Sequence, residues 1–184
     1  MKPSFAMAYY YFDFSDTRKQ NVRNMLNSLI AQICHQRREL LEAVTSFYRQ
    51  YYDGRMVPSI SDLTDLLACS TEGFMDVYFV LDALDECPPS GPAATRADVL
   101  KTLKAIKGWG DQRIHLLVTS RNEVDIEHEL TPIITDGPLD VREFIDEDIK
   151  LYIRNELSSP KFQHWSPGIA ADVEESLIKR ADGM

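Results

Sequence analysis

The sequence predicts an α/β fold built on a parallel sheet, and three observations carry that prediction. Residues 77–81 and 114–119 are apolar runs too short for helices and rich in β-branched and aromatic types. The run at 77–81 reads as a strand buried on both faces of a parallel sheet, and that at 114–119 as a further strand. Between them, longer stretches repeat apolar residues at helical spacing, and strand–helix–strand order favours parallel pairing through right-handed crossovers.

In chain order, the aromatic run Tyr9-Tyr10-Tyr11-Phe12 predicts a strand over residues 8–14. Ser15 or Asp16 can cap the helix behind it, in which Val22, Met25, Leu26, Leu29, Ile30 and Ile33 share one face. After Arg37-Arg38 a second helical pattern runs through Leu40, Leu41, Val44, Phe47, Tyr48 and Tyr51, and Gly54 and Pro58 close it. Ser59 or Ser61 opens a short helix that turns Leu63, Leu66 and Leu67 inward, and Gly73 ends the link to the strand at 77–81. A Pro/Gly/Ser/Ala loop follows over residues 88–94. Thr95 with Asp98 approximates a capping box for a helix carrying Val99, Leu100, Leu103 and Ile106, which Gly108 and Gly110 stop. Past the strand at 114–119, residues 124–130 suit a short helix. Residues 133–139 suit a weak last strand broken by Gly137-Pro138. Asp146 is expected to cap a helix carrying Ile149, Tyr152, Ile153 and Leu157, and Ile169, Val173 and Leu177 mark a last amphipathic helix.

The chemistry concentrates where the strand at 77–81 ends. It runs straight into Asp82, Asp85 and Glu86 before Pro88-Pro89 break any regular structure. Open α/β sheets bind ligands at the carboxyl ends of their parallel strands. One acid there can hold Mg²⁺, directly or through water, while another orients or deprotonates an attacking water. The simpler alternative is a solvated acidic turn, since exposed carboxylates are the ordinary case. Thr119, Ser120 and Arg121 leave the next strand at the same sheet edge, where an arginine can reach the terminal phosphate of a nucleotide. Its alternative is an ordinary salt-bridged surface arginine.

Composition narrows the classes. The 184 residues suffice for a sizeable core, and 44% hydrophobic with 27% charged residues is ordinary for a globular protein. A net charge of −9 argues against nucleic acid as a main partner, because phosphate binding needs a basic surface. Cys34, Cys69 and Cys87 are few, odd in number and far apart, with no spacing that suggests zinc or a disulfide framework. No signal-peptide pattern and no run long enough to span a bilayer is present, so a cytoplasmic location with reduced cysteines and no membrane partner is expected.

Four segments in order carry a resemblance. Val80-Leu81-Asp82-Ala83-Leu84-Asp85-Glu86 resembles the Walker B segment of the NACHT family of STAND signalling NTPases, and the strand ending in Thr119-Ser120-Arg121 resembles that family's sensor 1 strand. Ala8-Tyr9-Tyr10-Tyr11-Phe12-Asp13-Phe14 with the helix behind it, and the terminal Ala181-Asp182-Gly183-Met184, complete a similarity to the family's fungal branch. That branch is the nephrocystin-3-like N-terminal domain, often found ahead of ankyrin or other repeats.

The resemblance implies a P-loop NTPase-like three-layer parallel sheet. Residues 1–140 would be a partial nucleotide-binding core, and residues 141–184 a helical extension toward a next subdomain. It further implies Mg²⁺ and ATP or GTP as cofactors, with Asp82 at the metal, Glu86 and Asp85 at the water, and Arg121 with Thr119 and Ser120 sensing the nucleotide. One family element is missing: no glycine here begins a Gly-x-x-x-x-Gly-Lys-Ser/Thr loop. In the family that loop lies about one βα unit, roughly 30 residues, before Tyr9. The sheet is therefore expected to lack its first strand, with the strand at 114–119 exposed along one edge and residues 1–184 alone poorly soluble or partly ordered. Two functions remain open. One is a fragment of a slow nucleotide-driven switch that self-associates or engages repeat and effector domains. The other is a nucleotide-free interaction module that keeps the fold.

Overall fold

The computed structural model describes residues 4–52, 56–91, 96–109 and 112–181, and the side chains of all of these except Tyr52, residues 142–146 and Ala181. Strand β1 (Phe5–Tyr11) leads to helices α1 (Val22–Gln36), α2 (Leu40–Tyr52) and α3 (Ile60–Thr71), then to β2 (Asp76–Asp82). Helix α4 (Arg96–Lys107) joins β2 to β3 (Ile114–Val118), and α5 (Val124–Leu130) follows. Helices α6 (Arg142–Leu157) and α7 (Pro167–Ala181) end the chain. By internal contacts the chain divides into two compact units, Met1–Thr135 and Asp136–Met184. In the second, α6 packs on α7 and Arg154 Nε meets Glu174 Oε1 at 2.8 Å.

The first unit is an α/β fold whose three strands pair in the order β1-β2-β3, all parallel, with Ala8 beside Phe79 and Phe79 beside Leu116. Side chains alternate across the sheet, and one face is the core: Ala6, Ala8, Tyr10, Val77, Phe79, Leu81 and Ile114 are buried. Helix α1 packs on β1, α4 on β3, and α3 against both helices. Met25, Leu26, Leu29, Ile30 and Ile33 of α1, Leu63 and Leu67 of α3, and Val99, Leu100, Leu103 and Ile106 of α4 supply the buried layer.

The other face corrects the expectation that β2 is buried on both sides. Phe5, Tyr9 and Leu117 are 58%, 50% and 59% exposed, and Met7, Tyr11 and Tyr78 are exposed with them. The cause is topological. Both crossovers step the same way across the sheet, from β1 to β2 to β3, and right-handed connections that step one way lay their helices on one face. On the bare face Tyr78 stacks on His115, whose Nε2 meets Asp76 Oδ1 at 2.9 Å. His115 is an exposed edge histidine with a carboxylate partner.

The two sheet edges differ. In a parallel strand alternate residues turn both backbone groups to the same side. On β1 the outward pairs are met by glutamines of α1. Gln36 accepts from Met7 N at 3.0 Å and donates to Met7 O at 2.6 Å, and Gln32 accepts from Tyr9 N at 3.0 Å and donates to Tyr9 O at 2.7 Å. Two amide side chains thus occupy the place of a further strand. Beyond β3, among the described residues, no strand pairs at all.

Several local expectations change. The first strand begins at Phe5 and ends at Tyr11, three residues earlier than the aromatic run suggests, because Asp13 folds back to accept from Ser15 N and Oγ. Asp16 accepts from Arg18 N and starts the short 3-10 turn Thr17–Lys19, while Asn21 caps α1 through Asn24 N at 2.8 Å. Ser59 and Asp62 form a complete capping box on α3. Gly73, at φ +84°, takes a left-handed turn that a side chain would also crowd against Arg37. No strand forms over 133–139: Thr131–Ile133 is a 3-10 turn, and residues 134–140 are irregular. Asp146 lies inside α6, whose N-cap is Val141 with no side-chain cap. Thr95 and residues 182–184, and with them one cap and most of the terminal motif, lie outside the described residues.

Candidate functional site

Asp82, Asp85, Glu86, Thr119, Ser120 and Arg121 all lie at or just beyond the carboxyl ends of β2 and β3. Asp82 is the last residue of β2, and Leu84–Glu86 form a 3-10 turn immediately beyond it. The pivot between them is Ala83, at φ +56°, the one non-glycine with positive φ among the described residues. A left-handed alanine costs about 1–2 kcal/mol, so the turn is held from outside.

Thr119 does the holding. Its backbone N donates to Leu81 O at 2.9 Å, and its carbonyl accepts from Leu84 N at 3.0 Å. Its hydroxyl donates to Asp82 Oδ1 at 2.6 Å and accepts from Ala83 N at 3.0 Å. The ends of β2 and β3 are therefore stitched together around one threonine. Ser120 is not part of this: its hydroxyl donates to Arg121 O.

Asp85 and Arg121 form the second contact. Asp85 Oδ1 accepts from Arg121 N at 3.0 Å, and Oδ2 meets Arg121 Nε at 3.1 Å. The Asp85 side chain is 8% exposed and that of Arg121 78%. A buried carboxylate thus anchors the base of an arginine whose far end reaches into solvent. Glu86 points elsewhere, its Oε2 accepting from Phe14 N at 3.0 Å in the loop after β1.

Sequence reading missed Arg96. Its residue is 5% exposed, and its guanidinium donates from Nε to Cys87 O at 2.9 Å and from Nη2 to Asp85 O at 2.8 Å. Nη1 donates to Asp125 Oδ1 at 2.9 Å, with Glu123 Oε2 at 3.9 Å. A 29-residue separation from Asp125 leaves no local pattern to read. Cys87 sits below the turn, its thiol donating to Gln20 O at 3.1 Å and pushed up to about 11 by burial. Tyr10, donating to Arg18 O, is pushed up to about 12 by burial, with Cys87 and Asp16 adding to the effect.

Among the described residues no group of three or more His, Cys, Asp or Glu side chains could enclose a metal ion. Magnesium in nucleotide sites takes one or two carboxylates plus phosphate oxygens and water rather than a full protein cage. Asp82, with one oxygen engaged by Thr119, fits a metal that arrives on a nucleotide's phosphates. Also among the described residues, no helix is long and apolar enough to cross a membrane.

No curated protein and no solved structure matches the chain. A family model described as Nephrocystin 3, N-terminal matches residues 2–121, from the strand β1 through Arg121. The chain belongs to the nephrocystin 3 N-terminal family.

Proposed function

We propose that the carboxyl edge of β2 and β3 is one half of the nucleotide site of a NACHT-type signalling NTPase. In this reading Asp82 faces the Mg²⁺ of ATP or GTP and Arg121 senses the terminal phosphate, while Glu86 would position water only after its Oε2 leaves Phe14 N. Asp85 serves by holding Arg121, since both of its oxygens are engaged there. Bound magnesium nucleotide would supply the electrophilic phosphoryl group. The chain's part is to orient and to report, as in a slow switch rather than a fast enzyme.

The observation that carries this reading is the placement of Asp82, Thr119 and Arg121 at a carboxyl sheet edge beside the unpaired side of β3. In this reading the other half of the site would lie beyond β3. A strand seated beyond β3 and connected onward to β1 would step across the sheet in the opposite direction to β1-β2-β3. Its right-handed crossover would then lay its helix on the bare face of Phe5, Met7, Tyr9, Tyr11, Tyr78 and Leu117. One upstream strand–helix unit would close the open edge and cover the apolar face together. The loop between its strand and helix would emerge beside Asp82 and Arg121, at the point where the strand order reverses, which is where such sheets hold phosphates.

A second reading is a nucleotide-free interaction module, and one observation favours it. Asp82 and Asp85 already have protein partners, so the site is closed on itself without a ligand. Binding of MgATP and MgGTP to the chain extended upstream by about 30–60 residues decides between them. Micromolar affinity lost in Asp82→Ala and Arg121→Ala supports the switch. A well-folded extended chain that binds neither nucleotide supports the module.

A further inference from the structure

The acid turn and the segment after β3 meet twice, once at the surface and once beneath it. At the surface Asp85 takes both the backbone N and the Nε of Arg121. Beneath it, Arg96 takes the carbonyls of Asp85 and Cys87 with Nη2 and Nε, and the carboxylate of Asp125 with Nη1. Asp125 lies four residues beyond Arg121, in the first turn of α5. The contacts close a ring: Arg121 to Asp85, Asp85 to Arg96, Arg96 to Asp125, and the chain back to Arg121.

We propose that Arg96 and Asp125 are positioning residues that set the distance between the acid turn and Arg121. The guanidinium is suited to it, being a rigid plane with donors on two edges. One edge grips two carbonyls of the turn, and the other reaches across to α5. A lysine at 96 carries the charge but has a single head, which cannot span both segments. Burial tightens the arrangement, because a cation so far out of water persists only when fully paired. The segment it steadies needs the support: Ser120, Arg121 and Asn122 are exposed and outside regular structure. Without the ring, Arg121 would hang from β3 by Thr119 and from Asp85 alone. That this spacing serves phosphate sensing rests on the nucleotide reading above; the coupling itself does not.

The test is hydrogen exchange read by mass spectrometry on the chain at low micromolar concentration, comparing wild type, Asp125→Asn, Asp125→Glu and Arg96→Lys. Asp125 is nearly half exposed, so its neutral replacement removes one arm of the ring without opening the core. Expected in Asp125→Asn and Arg96→Lys is exchange about tenfold faster in both 83–87 and 119–125, with the β2 amides 77–81 within about twofold of wild type. Asp125→Glu, which keeps the carboxylate, should restore most of the protection. Unchanged exchange in either segment overturns the proposal. So does equal acceleration everywhere, including 77–81, which marks a structural staple only. Nucleotide binding is a separate measurement, so failure of that reading leaves this result standing.

Discussion

Thr119 Oγ1 lies 2.6 Å from Asp82 Oδ1, and that hydrogen bond joins the carboxyl ends of two neighbouring parallel strands. The same hydroxyl accepts from Ala83 N, so one oxygen orients the candidate metal acid and secures the strained turn behind it. Thr119→Ala removes both bonds and should cost about 1–2 kcal/mol. Thr119→Ser should cost well under that. Denaturant unfolding at low micromolar concentration measures both, and equal losses would show that the methyl, not the hydroxyl, matters.

Ala83 sits in the left-handed region at φ +56°. A β-branched side chain is a true outlier there, so Ala83→Val should destabilise the fold by about 1–3 kcal/mol. Ala83→Gly should be neutral or stabilising by up to about 1 kcal/mol. The comparison of unfolding midpoints checks this; a neutral valine would mean that the turn is free to relax.

Much of this architecture was legible in the sequence. The runs at 77–81 and 114–118 are strands, as short β-branched and aromatic-rich stretches between turn signals predict. The placement of Asp82, Asp85, Glu86 and Arg121 just beyond neighbouring strand ends was legible from their position in the chain. The bare face was not, because it follows from strand order and crossover handedness, which no local window contains. The weak strand over 133–139 failed because Gly137, at φ +76°, and Pro138 interrupt a stretch whose adjacent apolar residues are only Ile133 and Ile134. Pro132 instead starts a 3-10 turn that lets Ile133 pack against the core. Arg96 was invisible for a related reason: its partners Asp85, Cys87 and Asp125 are assembled by the fold.

Gln32 and Gln36 shield the outer edge of β1 by pairing with Tyr9 and Met7. Their joint replacement by alanine exposes a row of backbone groups beside an apolar face, a template for edge-to-edge pairing. The double variant should self-associate at concentrations about tenfold lower than wild type, which the open edge of β3 already predisposes to association. Sedimentation velocity reads the difference. Identical behaviour would mean that the glutamines only fasten α1 to the sheet.

Stability should fall in alkali through Cys87 and Tyr10. Burial raises the Cys87 thiol from 9.0 to about 11, so the folded chain holds this proton more tightly than the unfolded chain. Its contribution is complete below pH 9 and is lost as pH climbs from about 9 to about 11, on the order of 2–3 kcal/mol in all. Tyr10, raised from 10.0 to about 12, extends the decline to higher pH. Cys87→Ala should flatten the part of the curve between pH 9 and 10. An unaltered curve would assign the alkaline loss to other groups.

The most direct measurement is calorimetric titration of MgATP and MgGTP into two proteins: residues 1–184, and the same chain with its native upstream segment. The account predicts no micromolar binding to the first. It predicts micromolar binding to the second, carried on a Gly-x-x-x-x-Gly-Lys-Ser/Thr loop and weakened at least about tenfold by Asp82→Ala. An upstream segment that lacks such a loop, or an extended and cooperatively folded chain that binds no nucleotide, would contradict it.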